Sequence, residues 1–216
     1  MGKIAPIIAI MGLLLLIIEA LHLGVADLHR VGAVLRLESW NKTAKFPSYE
    51  EWQKSQQSLQ TAMDLDPDNP DHKEDMARLF KFKSFKSTAK IIERDEKSLE
   101  YLRSIIPLKP ASAYLWARLA RAKIAAKQMD EQTWQAMRSA IVAAPNDYPI
   151  QLAIGKLSLI TWPWIPNRWR GPMQSSLQKS LKGKTRPDII RFAKLNNKLK
   201  LANHLCRGCD VLQLPK

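Results

Sequence analysis

Two cysteines, eight glycines and four histidines are scattered through a chain of 216 residues, and each scarcity removes a class of function. The cysteines, Cys206 and Cys209, have no second pair to complete a four-ligand zinc site, and no histidine follows Cys209 to mark covalent haem attachment. Such a Cys-x-x-Cys can be redox-active, half a metal site, or a local disulfide in an oxidising compartment, and the spacing leaves these open. His22, His29, His72 and His204 are too far apart in sequence to suggest a cluster. Glycine is too sparse for a phosphate-cradling loop, and no Ser/His/Asp set or carboxylate pair stands out. The acidic residues Asp64, Asp66, Asp68 and Asp71 lack the central glycine and closing glutamate of a calcium loop, and Pro67 sits among them, so they read as a solvated turn. The expectation is a non-enzyme with no catalytic residues, no metal and no cofactor.

Runs of β-branched residues are also scarce, while Ala, Leu, Lys, Gln, Arg and Met dominate. That composition predicts an all-α fold. Hydrophobic residues make up 46% and charged residues 25%, which suits a folded chain. The net charge of +14 is unevenly spread. Residues 1–110 hold 16 Lys+Arg against 15 Asp+Glu, and residues 111–216 hold 18 against 5. A basic C-terminal half attracts phosphates, anionic headgroups or acidic glycans; a solubilising surface beside a membrane accounts for it equally well.

Residues 4–18 carry no charge. As helix they reach roughly 22 Å, and extension to Ala26 reaches roughly 34 Å, enough for a hydrocarbon core of about 30 Å. Glu19 and His22 share one helical face with Ala26 and Arg30, so a span requires both to lie near an interface or against protein. Only Lys3 forms an n-region and no small-x-small cleavage site follows, which favours an uncleaved anchor over a signal peptide. The expected organisation is an anchor over 1–30, a linker over 31–47, a helical-repeat domain over 48–205 and a tail over 206–216. Lys3 on one side and Arg30, Arg36, Lys42 and Lys45 on the other leave orientation open by charge alone.

Ser48 is placed to cap a helix carrying Trp52, Leu59, Ala62 and Met63, stopped at Asp66-Pro67. A second helix carries Met76, Ala77, Leu79 and Phe80; a third, from about Thr88, carries Ile91, Ile92, Leu99, Leu102 and Ile106. Between Lys109 and Pro145 two amphipathic helices form a hairpin. Its stripes are Ala113, Trp116, Ala117, Ala120 and Ile124, then Trp134, Met137, Ile141 and Ala144 behind an Asp130 cap. Leu59-x-x-Ala62 with Pro67 matches Met137-x-x-Ala140 with Pro145, the second-helix pattern of a tetratricopeptide-like repeat. Tetratricopeptide-like hairpins stacked as a short solenoid behind one transmembrane helix are therefore expected. Asp147 caps the next helix. Trp162, Trp164, Arg168, Trp169 and Arg170 follow in nine residues, as a ligand or membrane-interface patch or as a capping loop. Thr185 and Asp188 resemble a capping box for the last helical stretch.

Lys109-Pro110-x-Ser112-x-Tyr114-x-Trp116-x-x-Leu119-Ala120-x-x-Lys123, then Asp130 and the Met137/Ala140 helix, resembles the VpsP family of bacterial polysaccharide biosynthesis proteins. Gln151, Trp162, Arg168, Cys206 and the Asp66–Pro70 turn continue the likeness over nearly the whole chain. The resemblance implies an inner-membrane protein of exopolysaccharide production or export, and with the single apolar segment the expectation is a single-pass protein whose soluble domain is periplasmic. It assigns no catalytic residue. Its implied partners are the protein components of the polymerising or exporting machinery, with the membrane and an acidic glycan as further contacts. Binding candidates are Lys109, Tyr114, Trp116, Lys123, Trp162, Trp164, Arg168, Trp169 and Arg170. A cytoplasmic-face adaptor on anionic lipid or nucleic acid is the competing reading, with nucleic acid the less favoured partner.

Overall fold

The computed structural model describes residues 4–43, 46–82, 88–206 and 209, with side chains from residue 7 onward and, in the fourth helix, from residue 95. Every regular element among them is helical. Two compact units divide the chain, Met1–Ile105 and Ile106–Lys216, where a single repeat domain was expected. The first contains α1 (Ile4–Thr43), α2 (Tyr49–Leu65), α3 (Pro70–Leu79) and α4 (Thr88–Ile105). The second contains α5 (Ala113–Ala125), α6 (Glu131–Ala143), α7 (Tyr148–Thr161), a short 3-10 turn (Trp162–Trp164), α8 (Asn167–Lys182), α9 (Arg186–Leu195) and α10 (Leu199–Leu205).

The expected linker over 31–47 is instead helix as far as Thr43, continuous with the apolar amino-terminal segment. Ala26, Ala33, Leu37 and Trp40 repeat in helical phase and are buried. That periodicity makes the second half of α1 the partner of α2 in a first hairpin. Arg30 and Arg36, counted earlier as flanking charges, are held inside the unit. Arg30 Nε donates to Asp75 Oδ2 at 2.8 Å, and Arg78 Nη1 donates to Asp75 Oδ1 at 2.7 Å, so α1 and α3 share one buried carboxylate. Arg36 donates to Ser55 Oγ (2.8 Å) and Ser58 Oγ (3.2 Å) on α2.

Aromatic side chains fill the rest of the first core. Trp40 meets Phe82 edge-on at 5.3 Å, Trp52 meets Phe80 at 5.7 Å, and Phe80 stacks on Tyr101 at 5.9 Å. The Trp52 indole N–H donates to the Leu79 carbonyl at 3.2 Å, which satisfies its polar edge inside the core. Ser48 caps α2 as expected, and Glu51 answers it to close a reciprocal capping box. Ile91 and Ile92 lie outside the described side chains.

The two matching proline stops fold alike. Leu59 and Ala62 on α2 and Met137 and Ala140 on α6 are all fully buried. Their helices end on Asp66 (φ −139°, ψ 75°) and Ala144 (φ −146°, ψ 71°), each donating its N–H to the carbonyl four residues back. A residue before proline is pushed out of the α region, which accounts for both endings.

In the second unit α5 pairs with α6 and α7 with α8, while α9 and α10 close one end. Ser112, Asp130 and Asp147 cap α5, α6 and α7 through their side-chain oxygens. The proposed cap at Thr185 does not form: its backbone is helical and its hydroxyl donates to the Ser180 carbonyl at 2.7 Å instead. Leu159, Leu177, Leu181, Ile189 and Ala193 make the core here, joined by Cys206 and Cys209. Those two are a disulfide pair with Cα atoms 5.5 Å apart, within the span such bridges adopt. Residues 210–216 of the expected tail lie outside the described residues.

Gly155 marks a close helix approach. A Cβ there would stand 2.8 Å from Ile189 Cδ1 and 3.1 Å from Ser180 Oγ. Gly155→Val is expected to lower unfolding free energy by about 2 kcal/mol through overpacking, read as a loss of Tm for the second unit. Lys127 holds a left-handed backbone (φ 58°) after α5, while Gln128 N–H reaches back to the Lys123 carbonyl at 2.8 Å. Lys127→Gly relieves that position and is expected to raise stability by about 1 kcal/mol in denaturant titration.

Candidate functional site

The nine candidate residues fall into separate groups. Lys109, Tyr114 and Trp116 stand at the start of α5. Trp116 Nε1 donates to the Pro110 carbonyl at 2.8 Å, which ties the indole to the loop before its own helix. The Tyr114 hydroxyl donates to Asp147 Oδ2 at 3.0 Å, on the residue that caps α7. That hydrogen bond, with smaller contributions from burial and the carboxylate charge, holds the phenol above its ordinary pKa. Tyr148 repeats the device on Asp188 of α9.

At the opposite turn, between α5 and α6, lies Lys123. It is 1% exposed. Its Nζ donates to Asp130 Oδ2 (2.8 Å), Gln132 Oε1 (3.0 Å) and Gln128 Oε1 (3.4 Å). Asp130 also accepts the Thr133 N–H at 3.1 Å as the α6 cap. Partial burial opposes its charge, but the Lys123 ammonium and the Thr133 N–H overcome that and hold the carboxyl below its usual range. With three partners inside the chain, the ammonium ties the α5–α6 turn together.

The tryptophan-arginine stretch is no loop beyond Pro166: Arg168, Trp169 and Arg170 are in the first turns of α8. Arg168 Nη2 and Trp169 Nε1 (3.2 Å) both donate to Glu131 Oε2, at the start of α6. Arg170 donates its Nε to the Ile165 carbonyl at 3.1 Å and lies 5.7 Å over the Trp162 ring. Arg168 and Trp169 thereby clasp α8 to α6, while Arg170 and Trp162 brace the turn that leads into α8. Trp164 is the exception, 58% exposed on the short 3-10 turn.

Sequence reasoning missed a shallow, solvent-open cleft beside α7 and α8. Asn146, Gln151, Ser175, Gln178, Lys179 and Lys182 line it, with Gly183 at its edge. No carboxylate and no histidine is among the lining residues. Two ammonium groups with amides and a hydroxyl suit an anion that also carries hydroxyl groups. The only sequence signals were Gln151 in the family resemblance and the basic excess after residue 110. Neither locates the cleft, because it depends on how α7 meets α8. Among the described residues, no group of three or more His, Cys, Asp or Glu side chains is placed to hold a metal ion.

No protein-family model and no curated protein sequence matches this chain. Among solved structures it is similar to PilF of Pseudomonas aeruginosa. The identity is 14%, over 83% of this chain and 90% of that one, with a TM-score of 0.31. At those values the likeness carries no argument about this chain. The all-α hairpin architecture stands on its own helices.

Proposed function

We propose that this chain is a non-catalytic, single-pass scaffold of helical hairpins in bacterial exopolysaccharide biosynthesis or export, with its folded units in the periplasm. The observation that carries the anchored reading is α1. One unbroken helix contains an apolar window long enough to cross a bilayer, none of it buried, and then enters the core of the first unit. Cys206 and Cys209, with Cα atoms 5.5 Å apart, are close enough to form a bridge in an oxidising compartment. The polysaccharide context rests on the resemblance in the α5–α6 hairpin. The hairpins supply a surface for components of the polymerising or exporting machinery.

An alkaline phosphatase fusion after residue 216 tests orientation: activity supports the periplasmic reading, and an inactive fusion places the chain on the cytoplasmic face. Loss of secreted polysaccharide on deletion, restored by the intact chain, tests the pathway. The acidic-glycan contact is assigned to the cleft. K179Q with K182Q is expected to abolish salt-sensitive binding of a uronate oligosaccharide while helical circular dichroism is kept; unchanged binding in that variant removes the cleft from the proposal.

A further inference from the structure

Ser175, Gln178, Lys179 and Lys182 recur along α8 in steps of three and four, so one face of that helix lines the cleft. Gln151 of α7 adds a second amide to the lining. Both glutamine side chains are already held. Gln151 Nε2 donates to the Pro145 carbonyl at 2.9 Å, and Gln178 Nε2 donates to the Leu205 carbonyl at 2.9 Å. A backbone carbonyl can only accept, so each amide keeps its nitrogen at that carbonyl and turns its oxygen the other way.

Neither Pro145 nor Leu205 lines the cleft. The amide nitrogens are therefore drawn away from it, and the amide oxygens are left on its side. Gln151 Oε1 comes within 4.0 Å of where a Cβ on Gly183 would stand, at the edge of the cleft. The backbone is pinned here too, since Ser180 Oγ donates to the Gln151 carbonyl at 3.0 Å. Two acceptors thus stand oriented in advance beside the ammonium groups of Lys179 and Lys182.

We propose that Gln151 and Gln178 determine the specificity of the cleft: their amide oxygens accept from ligand hydroxyls, so the cleft selects a hydroxylated anion over a bare one. The inference rests on the reading of the cleft as the acidic-glycan contact. Lys179 and Lys182 cannot make this choice, because a point charge answers any carboxylate, sulfate or phosphate. Fixed acceptors can, because an anion without donors leaves both oxygens unmatched. The cleft is open to solvent, so water can stand in for a missing hydroxyl. Discrimination is therefore about tenfold, far below that of an enclosed site.

The full chain in nanodiscs is titrated with an oligogalacturonate and with an oligoacrylate of equal charge, which carries no hydroxyl. The unsubstituted chain is expected to bind the oligogalacturonate about tenfold more tightly. Gln151→Met with Gln178→Met is expected to erase that preference while keeping oligoacrylate binding, its salt dependence and the helical circular dichroism. Gln151→Met alone leaves the Leu205 carbonyl with its donors and is expected to lose a few-fold of the preference. Gln174→Met is the structural control: Gln174 Nε2 donates to the same Leu205 carbonyl at 3.0 Å but does not line the cleft, so the preference stays intact. Equal affinity for the two polymers in the unsubstituted chain overturns the proposal. So does a preference that survives the double substitution, or one that disappears with Gln174→Met. If both polymers bind equally and K179Q with K182Q abolishes both, the anion cleft stands and its acceptors do not. If neither polymer binds the unsubstituted chain, the glycan reading of the cleft falls and the specificity falls with it.

Discussion

Asp130→Ala is expected to reduce unfolding free energy by about 3 kcal/mol. Two losses combine. The helix cap of α6 contributes about 1 kcal/mol, and an ammonium that is almost wholly enclosed loses its one charged partner. The carboxylate itself is half in water, so the ion-pair part is set well below that of a fully buried pair. Asp130→Asn separates the two losses, since an asparagine still caps. It is expected to cost about 1 to 2 kcal/mol. Lys123→Met with Asp130→Asn removes the enclosed charge altogether and is expected to recover part of that loss, because an apolar side chain of similar length fills the site. Urea unfolding of each variant measures these values. A cost for Asp130→Ala no larger than that of an ordinary cap would show that the ammonium gains nothing from the carboxylate.

The same residue fixes a pH dependence. Its folded-state pKa is depressed, so it contributes stability above the unfolded value of about 4, and that contribution disappears as pH falls through the folded value. The native protein should therefore lose stability more steeply below about pH 4 than Asp130→Asn does. Parallel curves for the two proteins would contradict the assigned partners.

Asp75→Ala is expected to be comparably damaging, at about 3 kcal/mol, and to act on a different part of the molecule. Asp75 is buried and receives Arg30 from α1 and Arg78 from its own helix. Removing it leaves two guanidinium groups facing each other with no shared acceptor. Both arginines reach water in part, which limits the cost. Hydrogen exchange should show the second half of α1 and α3 losing protection together, with α5–α10 unchanged. Loss of protection confined to α3 would mean that α1 is held by its apolar residues alone.

The helices were legible where local chemistry decides them. Ser48, Asp130 and Asp147 cap their helices, and Pro67 and Pro145 stop theirs, because capping oxygens and proline rings act within a few residues. The α1 boundary was not legible. Charges at Arg30, Arg36 and Lys42 make residues 31–43 look like linker, and only the packing of α2 and α3 shows that two of them are internal partners. Thr185 misled for a related reason: its hydroxyl had a buried carbonyl available, and tertiary context outweighed the capping pattern. Among the candidate site residues, sequence marks Lys123 and Arg168 as cations, but their acceptors depend on the α5–α6 turn and on α8 meeting α6.

The continuity of α1 carries a geometric consequence. A strut without a break transmits rotation as well as position. Each residue added to a helix advances it by 1.5 Å and turns it by about 100°. One alanine inserted between Leu23 and Ala26 would therefore swing the packed half of α1 and its partners by more than a quarter turn about the helix axis while barely changing their distance from the apolar end. Seven alanines would move them about 10 Å farther out and return them almost to their original bearing. A partner held at the apolar end of α1 would notice the first change more than the second.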